Sequence, residues 1–466
     1  MKKINIMIVT ALLLVGCNKF DDEININPNV PSQASGTQLI ANSMLSLSGL
    51  SSSPQGEFMS QYLSETQYVN ASLYPQSSTS FYDWYQGPLM NLQTVLNSAD
   101  EISALEGPVV NQLAVAKILK AYYMWSLTDR WGDIPYTEAL MGADNFTPKY
   151  DTQEAIYTSL FSLLDEATGA IVSGSITNDI IYNGDMTKWS TLANSLKMLM
   201  ALRLSEVNPT LGKEKFAAAM QEGVLAANSG NFVFKHLADA NNQNYWFSQI
   251  DLQGREWWAI SSTLMDKMKP VSDPRLRVYA QPNRTDGDYT GLIFGEKVNI
   301  DTEKYALLGD AIHAQDAPVY LVTYAQVLFA QAEAAKLGWI AGSDVTAKEN
   351  YNKAIAASMS QWGADTSELE GFMMQPEIAY NPATAIEQIA TQRWVHLFMH
   401  GYEGWAEYRR TGFPNNMVAP DGAAVPNRQI YIETEQFNNT ENYNEAVQRQ
   451  FGGSESLYGN VWWDVN

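Results

Sequence analysis

Asn111-Gln112-Leu113-Ala114-Val115-Ala116-Lys117-Ile118-Leu119-Lys120-Ala121-Tyr122-Tyr123-Met124-Trp125-Ser126-Leu127-Thr128-Asp129 contains neither glycine nor proline. Ala116, Leu119, Tyr123 and Leu127 share one helical face, and apolar residues continue around most of the circumference. A helix of this kind must be covered on nearly every side. Comparable segments occupy Lys188–Val207, Leu321–Leu337 and Thr384–Arg410, the last predicted to break or kink at Gly401 and Gly404. Further helices are expected near Thr37–Leu47 and Pro88–Leu105. Several long helices precede a shorter one rich in small residues: Thr152–Ile171 after the first, Lys213–Asn228 after Lys188–Val207, and Ala347–Trp362 after Tyr324–Gly338. Alanines let paired helices approach closely, which is the tetratricopeptide-like arrangement. The spacing is irregular, so on this evidence another α-helical packing stays open. Short strands are expected at Leu292–Val298 and Gln429–Glu433, and sheet signals are otherwise weak.

Long irregular stretches separate the helices: Ser64–Gly87, Arg130–Tyr150, Ser229–Trp258, Pro270–Pro318, Gly363–Pro382 and Thr411–Asn466. Loops of such length are usually functional or form a subdomain. Two are crowded with aromatics among amides and hydroxyls. The first cluster holds Tyr62, Tyr68, Tyr74, Phe81, Tyr82, Trp84 and Tyr85; the other holds Tyr245, Trp246, Phe247, Trp257 and Trp258 beside Gln249 and Arg255. Rings stack on the C–H faces of sugars or on extended peptides while amides and charges fix polar groups. Tyr74, Tyr82, Trp84, Tyr245, Trp246, Trp257 and Trp258 are therefore the ligand-binding candidates. The competing role for each ring is to pin its loop to the helical body.

The 466 residues carry 51 acids against 29 Lys and Arg, a net charge of −22. Such a surface repels phosphate backbones, which argues against nucleic-acid binding. With 45% apolar residues and a single cysteine, the fold must be held by its core, without internal disulfides. The motifs Gly-x-Ser-x-Gly, Gly-x-Gly-x-x-Gly and the P-loop are absent, so no catalytic residue is assigned. His396 and His400 are spaced for one helical face, but Leu397 stands where the zinc-protease motif needs glutamate, and buried or capping histidines are expected instead. Asp286, Asp288 and Asp301 do not complete a calcium loop. No metal or cofactor is expected. A surface glycoside hydrolase remains a weaker alternative, since carboxylate pairs cannot be judged from sequence.

That one cysteine, Cys17, follows Met1-Lys2-Lys3, an apolar run from Ile4 to Val15, and the sequence Leu14-Val15-Gly16. The apolar run is too short to span a bilayer. The pattern resembles the lipobox of bacterial lipoproteins, in which residues 1–16 are cleaved and the thiol receives acyl chains such as palmitate. Residues 17–35 then read as acylated cysteine and tether, and residues 36–466 as one helical domain. Cleavage removes two lysines and no acids, leaving a net charge of −24. The tether could extend up to roughly 60 Å.

Gln392-Arg393-Trp394-Val395-His396-Leu397-Phe398-Met399-His400-Gly401-Tyr402-Glu403-Gly404-Trp405-Ala406-Glu407-Tyr408-Arg409-Arg410-Thr411-Gly412-Phe413-Pro414 resembles the most recognisable segment of the SusD/RagB outer-membrane lipoproteins. Asp133-Ile134-Pro135-Tyr136, Ser272-Asp273-Pro274-Arg275-Leu276, Tyr324–Ala334, Asn438–Asn444 and Trp462-Trp463-Asp464 are similar to that family in the same order, nearest to its shorter SusD-like subgroup. The resemblance implies an all-α dominated SusD-like fold, with tetratricopeptide-like helix pairs supporting a loop-rich ligand face and minor strands. It implies a non-enzymatic lipoprotein of the outer membrane, facing the cell surface, that captures oligosaccharide, or alternatively peptide, for a SusC-like TonB-dependent transporter. Asp21, Asp22 and Glu23 resemble, loosely, the family's surface-export signal. Trp394, Trp405 and Tyr408 are expected in the scaffold. Cys17→Ala is expected to release the protein from the membrane with its ligand site intact; fractionation with the outer membrane in cells lacking the transporter would refute the anchor.

Overall fold

The computed structural model describes residues 34–465 apart from 77, 299 and 423. The expected cleavage site, the acylated Cys17 and nearly all of the tether therefore lie outside the described residues. The fold is helix-dominated. In chain order its main helices are α1 (Gly36–Leu45), α2 (Pro54–Met59), α3 (Met90–Asn97), α4 (Val109–Trp131), α5 (Gln153–Ala170), α6 (Met186–Arg203), α7 (Pro209–Glu222), α8 (Tyr245–Ile250), α9 (Ser262–Met268), α10 (Tyr324–Lys336), α11 (Ser343–Trp362), α12 (Ala385–His396), α13 (Gly401–Thr411) and α14 (Thr440–Phe451).

Among the described residues three antiparallel pairs complete it. β1 (Leu63–Glu65) pairs with β5 (Trp258–Ile260), β2 (Ile134–Pro135) with β3 (Tyr150–Asp151), and β4 (Phe232–Phe234) with β6 (Val319–Val322).

The helix pairs form as the composition predicts. α4 packs on α5, α6 on α7 and α10 on α11. Every residue of α6 from Leu192 to Arg203 is buried, so this helix is core on all sides. Its partner α7 buries only Gly212, Phe216 and Ala219. Gly212 is required there, because a Cβ would lie 2.8 Å from the Ala201 carbonyl oxygen and 2.7 Å from the Trp339 ring. The starts are set locally. Thr152 accepts from the Ala155 amide, Asp185 from those of Thr187 and Lys188, and Thr323 forms a capping box with Gln326.

The segment 384–410 divides into α12 and α13 across Leu397–His400, where Met399 adopts φ +64°. The glycines beyond the break permit contact as well as bending. A Cβ on Gly401 would fall 2.2 Å from the Gly56 carbonyl carbon, and one on Gly404 2.3 Å from the Tyr62 hydroxyl. α2 and Tyr62 therefore press directly on α13, and the Tyr62 hydroxyl donates to the Trp394 carbonyl at 2.5 Å. Trp394 and Trp405 are fully buried, as expected of scaffold.

Several expectations are corrected. Leu292–Val298 makes only an isolated bridge, Leu292 to Ser261, because Gly295 turns the chain at φ +79° and the Glu296 carboxylate takes the Lys297 and Val298 amides. Gln429–Glu433 forms no ladder either. The Gln429 amide donates to the Arg130 carbonyl at the end of α4, and the Tyr431 amide to the Glu455 carboxylate. The stretch after Thr411 is not wholly irregular, since it contains α14, closed by Gly452 in the left-handed region. The helix expected over Pro88–Leu105 begins earlier, with Tyr82–Trp84 and a π-turn at Tyr85–Leu89, and α3 ends at Asn97.

At the junction of α4, α6, α10, α12 and α13 lies a buried ionic network. Arg203 binds Asp129 at 3.1 Å, Glu407 at 2.6 Å and Glu403 at 2.8 Å. Arg410 grips Glu333 at 2.6 Å and Glu407 at 2.8 Å, while Arg393 binds both of those carboxylates at 2.5 Å. Burial disfavours the Glu333 and Glu407 charges, but the surrounding guanidiniums outweigh it and hold both below the ordinary carboxylate range. A second knot sits beside it. Arg275 binds Asp273, Gln392 and Ser358; the Ser358 hydroxyl meets His396 Nδ1, and His396 Nε2 meets Thr323.

Removing one partner of such a network leaves its neighbours charged and dry. Arg203→Met is expected to cost about 3–5 kcal/mol of stability, read as a lower denaturant midpoint; a change under about 1 kcal/mol would show that the network is not holding the helices.

Glu57 behaves differently. It is fully buried in α2 and accepts from the Gly401 amide at 3.0 Å. Burial pushes its pKa up to about 8. The folded state therefore keeps a proton that the unfolded chain releases near its ordinary value. The stability associated with that proton is full below about pH 4.5 and is lost as pH rises towards about 8. Glu57→Gln, which stays neutral, is expected to gain steadily on the wild type in melting temperature between pH 5 and 8. A pH-independent difference would show that Glu57 is ionised throughout.

Candidate functional site

The pairing of β1 with β5 sets Glu65 opposite Trp258 and Leu63 opposite Ile260. It continues into the loops, where the Thr66 amide donates to the Trp257 carbonyl at 2.8 Å and the Thr66 hydroxyl to the Glu256 carbonyl at 2.6 Å. Two aromatic loops far apart in sequence thereby become neighbours.

Tyr68 stands edge-on to Trp257, centroids 5.1 Å apart and planes at 90°. The Arg255 guanidinium lies 4.0 Å from the Trp257 ring centre and donates to Gln249. Tyr68 is 61% exposed and Trp257 partly buried, so together they form an aromatic ridge open to solvent.

The ridge has a stiff foundation. Trp257 contacts Trp258 at 5.7 Å, Trp258 meets Trp246 edge-on at 5.2 Å, and Trp246 meets Tyr245 likewise. Glu65 turns the loop by accepting the Gln67 and Tyr68 amides, and burial raises its pKa against those hydrogen bonds. On the flank, Arg284 pairs with both oxygens of Glu256, which also accepts from Thr302. The hydrogen bond from Arg284, more than any other cause, holds the Glu256 carboxyl down to about 2.

The sequence candidates are thus dispersed. Trp246 and Trp258 are 2% and 5% exposed and serve as the ridge's foundation, while Tyr245 is partly buried beside them. Tyr74 is buried against Phe294, its hydroxyl accepting from Gln61. Tyr82 and Trp84 are partly buried on another part of the molecule. The Tyr82 hydroxyl donates to Glu435, and the Trp84 ring covers Gly49 and leans on Tyr123 at 5.9 Å. The first aromatic loop therefore serves three places, and only Tyr68 joins the other loop's rings. Sequence reasoning placed Tyr68 and Arg255 within the clusters but not among the candidates. A pairing of three residues with three gives no periodic signal by which to find them.

The other chemistry is occupied structurally. His396 and His400 do not share a ligand, since the second reaches the Leu321 carbonyl instead, and burial lowers their pKa values to about 3 and about 4. Asp288 pairs with Lys269, Asp286 accepts the Asp288 amide, and Asp301 accepts that of Glu303. Among the described residues no group of three or more His, Cys, Asp or Glu is placed to hold a metal ion.

A helical body of paired helices presenting aromatic loops defines a binding-scaffold architecture. The chain belongs to the SusD-like family: the family model described as starch-binding and associating with the outer membrane matches residues 28–432. Among solved structures, a chitin-binding protein is 30% identical with a TM-score of 0.82, the match covering 93% of this chain and 100% of that one. A SusD homologue from Bacteroides fragilis is 25% identical with a TM-score of 0.80, covering 93% and 99%. A chitin-binding SusD homologue from Flavobacterium johnsoniae shares the fold at 22% identity and a TM-score of 0.75, covering 92% and 98%. Among curated proteins no sequence matches the chain.

Proposed function

We propose that this protein is a lipid-anchored outer-membrane receptor of the shorter SusD-like subgroup, facing the cell surface. It captures an oligosaccharide and passes it to a SusC-like TonB-dependent transporter, acting by binding rather than by catalysis. The observation carrying this reading is the ridge of Tyr68, Trp257 and Arg255. It offers exposed aromatic faces for sugar C–H surfaces and a cation for hydroxyls, held rigid by buried tryptophans. The relative described as chitin-binding, alike along nearly the whole chain, supports a carbohydrate over a peptide.

Carboxylates with raised pKa values, the usual mark of a general acid, are spent on the fold. Glu57 caps the α12–α13 break, Glu65 turns a loop, and Glu403 sits in the ionic network. This supports a receptor rather than a hydrolase.

In calorimetry on the full-length chain in detergent, Tyr68→Ala and Trp257→Ala are each expected to weaken oligosaccharide binding about 2- to 13-fold, the range for losing one aromatic contact of ~0.5–1.5 kcal/mol. The helical spectrum should not change. Unaltered affinity in both variants would remove the ridge from the site, and binding of peptides but no glycan would replace the ligand class.

A further inference from the structure

Trp246 also lines a pocket of about 240 Å³ that does not include Tyr68, Trp257 or Arg255. Its walls are the rings of Trp246, Tyr320 and Trp362, and Phe398 and Ile312 lie buried in its lining. Its mouth is open, because Ala311, Pro318, Ser360 and Gly363 all line it and are exposed.

The walls are held in place by bonds that do not depend on a ligand. Asn244 donates to the Ala317 carbonyl at 3.0 Å and accepts from the Trp246 amide at 2.8 Å, clamping loop to loop. The Tyr320 hydroxyl donates to the Gln361 carbonyl, and Trp362 Nε1 to the His396 carbonyl at the end of α12. Tyr320 and Trp362 meet at 5.3 Å. A cavity braced in this way is preformed, as small-molecule sites usually are.

Its chemistry is narrow. No Asp, Glu, Lys, Arg or His lines it; the polar groups are amides and hydroxyls, from Asn244, Gln361, Ser360 and Ser52. The exposed Ser360 and the half-buried Gln361 stand in the lining where a ligand's hydroxyl or amide groups could meet them. An apolar peptide side chain would use the rings and leave these polar groups unused. A carboxylated sugar would bring a charge with nothing to pair it. The volume falls below the ~300–1,000 Å³ typical of pockets for drug-sized ligands, which suits a single ring and not an extended segment.

We infer that this pocket is a second subsite, receiving one uncharged sugar ring from the end or a branch of the captured glycan, with Trp246 as the wall it shares with the ridge's foundation. The inference rests on the receptor reading above. It adds a selection for neutral rings and for chain ends that an open ridge alone cannot make.

The test plugs the mouth instead of emptying the core. Ala311→Trp and, independently, Ser360→Trp alter exposed positions and should keep the melting temperature and helical spectrum of the wild type. Calorimetry on full-length protein in detergent would use neutral oligosaccharides, including N-acetylated ones, matched uronate oligomers and a panel of apolar-tipped peptides. The expected result is at least a tenfold loss of neutral-glycan affinity in whichever plugged variants fold, with the wild type preferring neutral over uronate chains. Wild-type binding that persists undiminished in a folded plugged variant would overturn the subsite while leaving the receptor reading intact. A plug that abolishes peptide binding but spares glycan would assign the pocket to peptides. A wild type that binds no glycan would overturn the receptor reading itself.

Discussion

The buried ionic network around Arg203, Arg393, Arg410, Glu333, Glu407 and Asp129 is the constraint on which the remaining architecture depends. Five helices meet there, and each contributes a charge that has left water. Desolvating such groups is expensive, and only close, multidentate contacts offset it. The geometry is therefore unforgiving: a helix that shifted by an ångström or two would strand a charge. Apolar packing tolerates small slips, whereas this network selects one relative placement of α4, α6, α10, α12 and α13. Asp129 extends the constraint to the C-terminal region, accepting from Trp463 at 2.8 Å and from Tyr157 at 2.5 Å.

The loops inherit that placement. The break between α12 and α13 lies one turn from Glu403, and its close contact with α2 leads directly into β1. β1 in turn pairs with β5 and brings Tyr68 to Trp257. The aromatic ridge is thus connected to the charged core through glycines that allow backbone to touch side chain. It resembles a platform whose rigidity comes from the helices, with the rings set on top.

The family motifs form structural knots. Asp133 accepts the Gln153 amide and the Arg449 guanidinium, tying the end of α4 to the start of α5 and to α14. Arg275, held by Asp273, binds Ser358 of α11 and Gln392 of α12. That is why the most recognisable residues of the chain disclose its fold so readily and its ligand so poorly. The long helices and their small-residue partners were legible because periodicity and composition are local properties. The strands expected at 292–298 and 429–433 were not formed, since their amides found carboxylates and a helix end instead of a neighbouring strand.

By itself the sequence indicated paired helices, with another helical packing left open, an interruption within the 384–410 segment, and a family resemblance that puts Trp394 and Trp405 in the scaffold. All of these follow from spacing, from side-chain size and from motif order along the chain. Tertiary structure alone decided which aromatics face solvent. Tyr74, Tyr82, Trp84 and Tyr68 are near one another in sequence, yet one is in the core, two brace a different part of the body, and only Tyr68 reaches Trp257. Whether a ring is buried depends on what the folded chain brings against it from hundreds of residues away, and no local pattern encodes that partner.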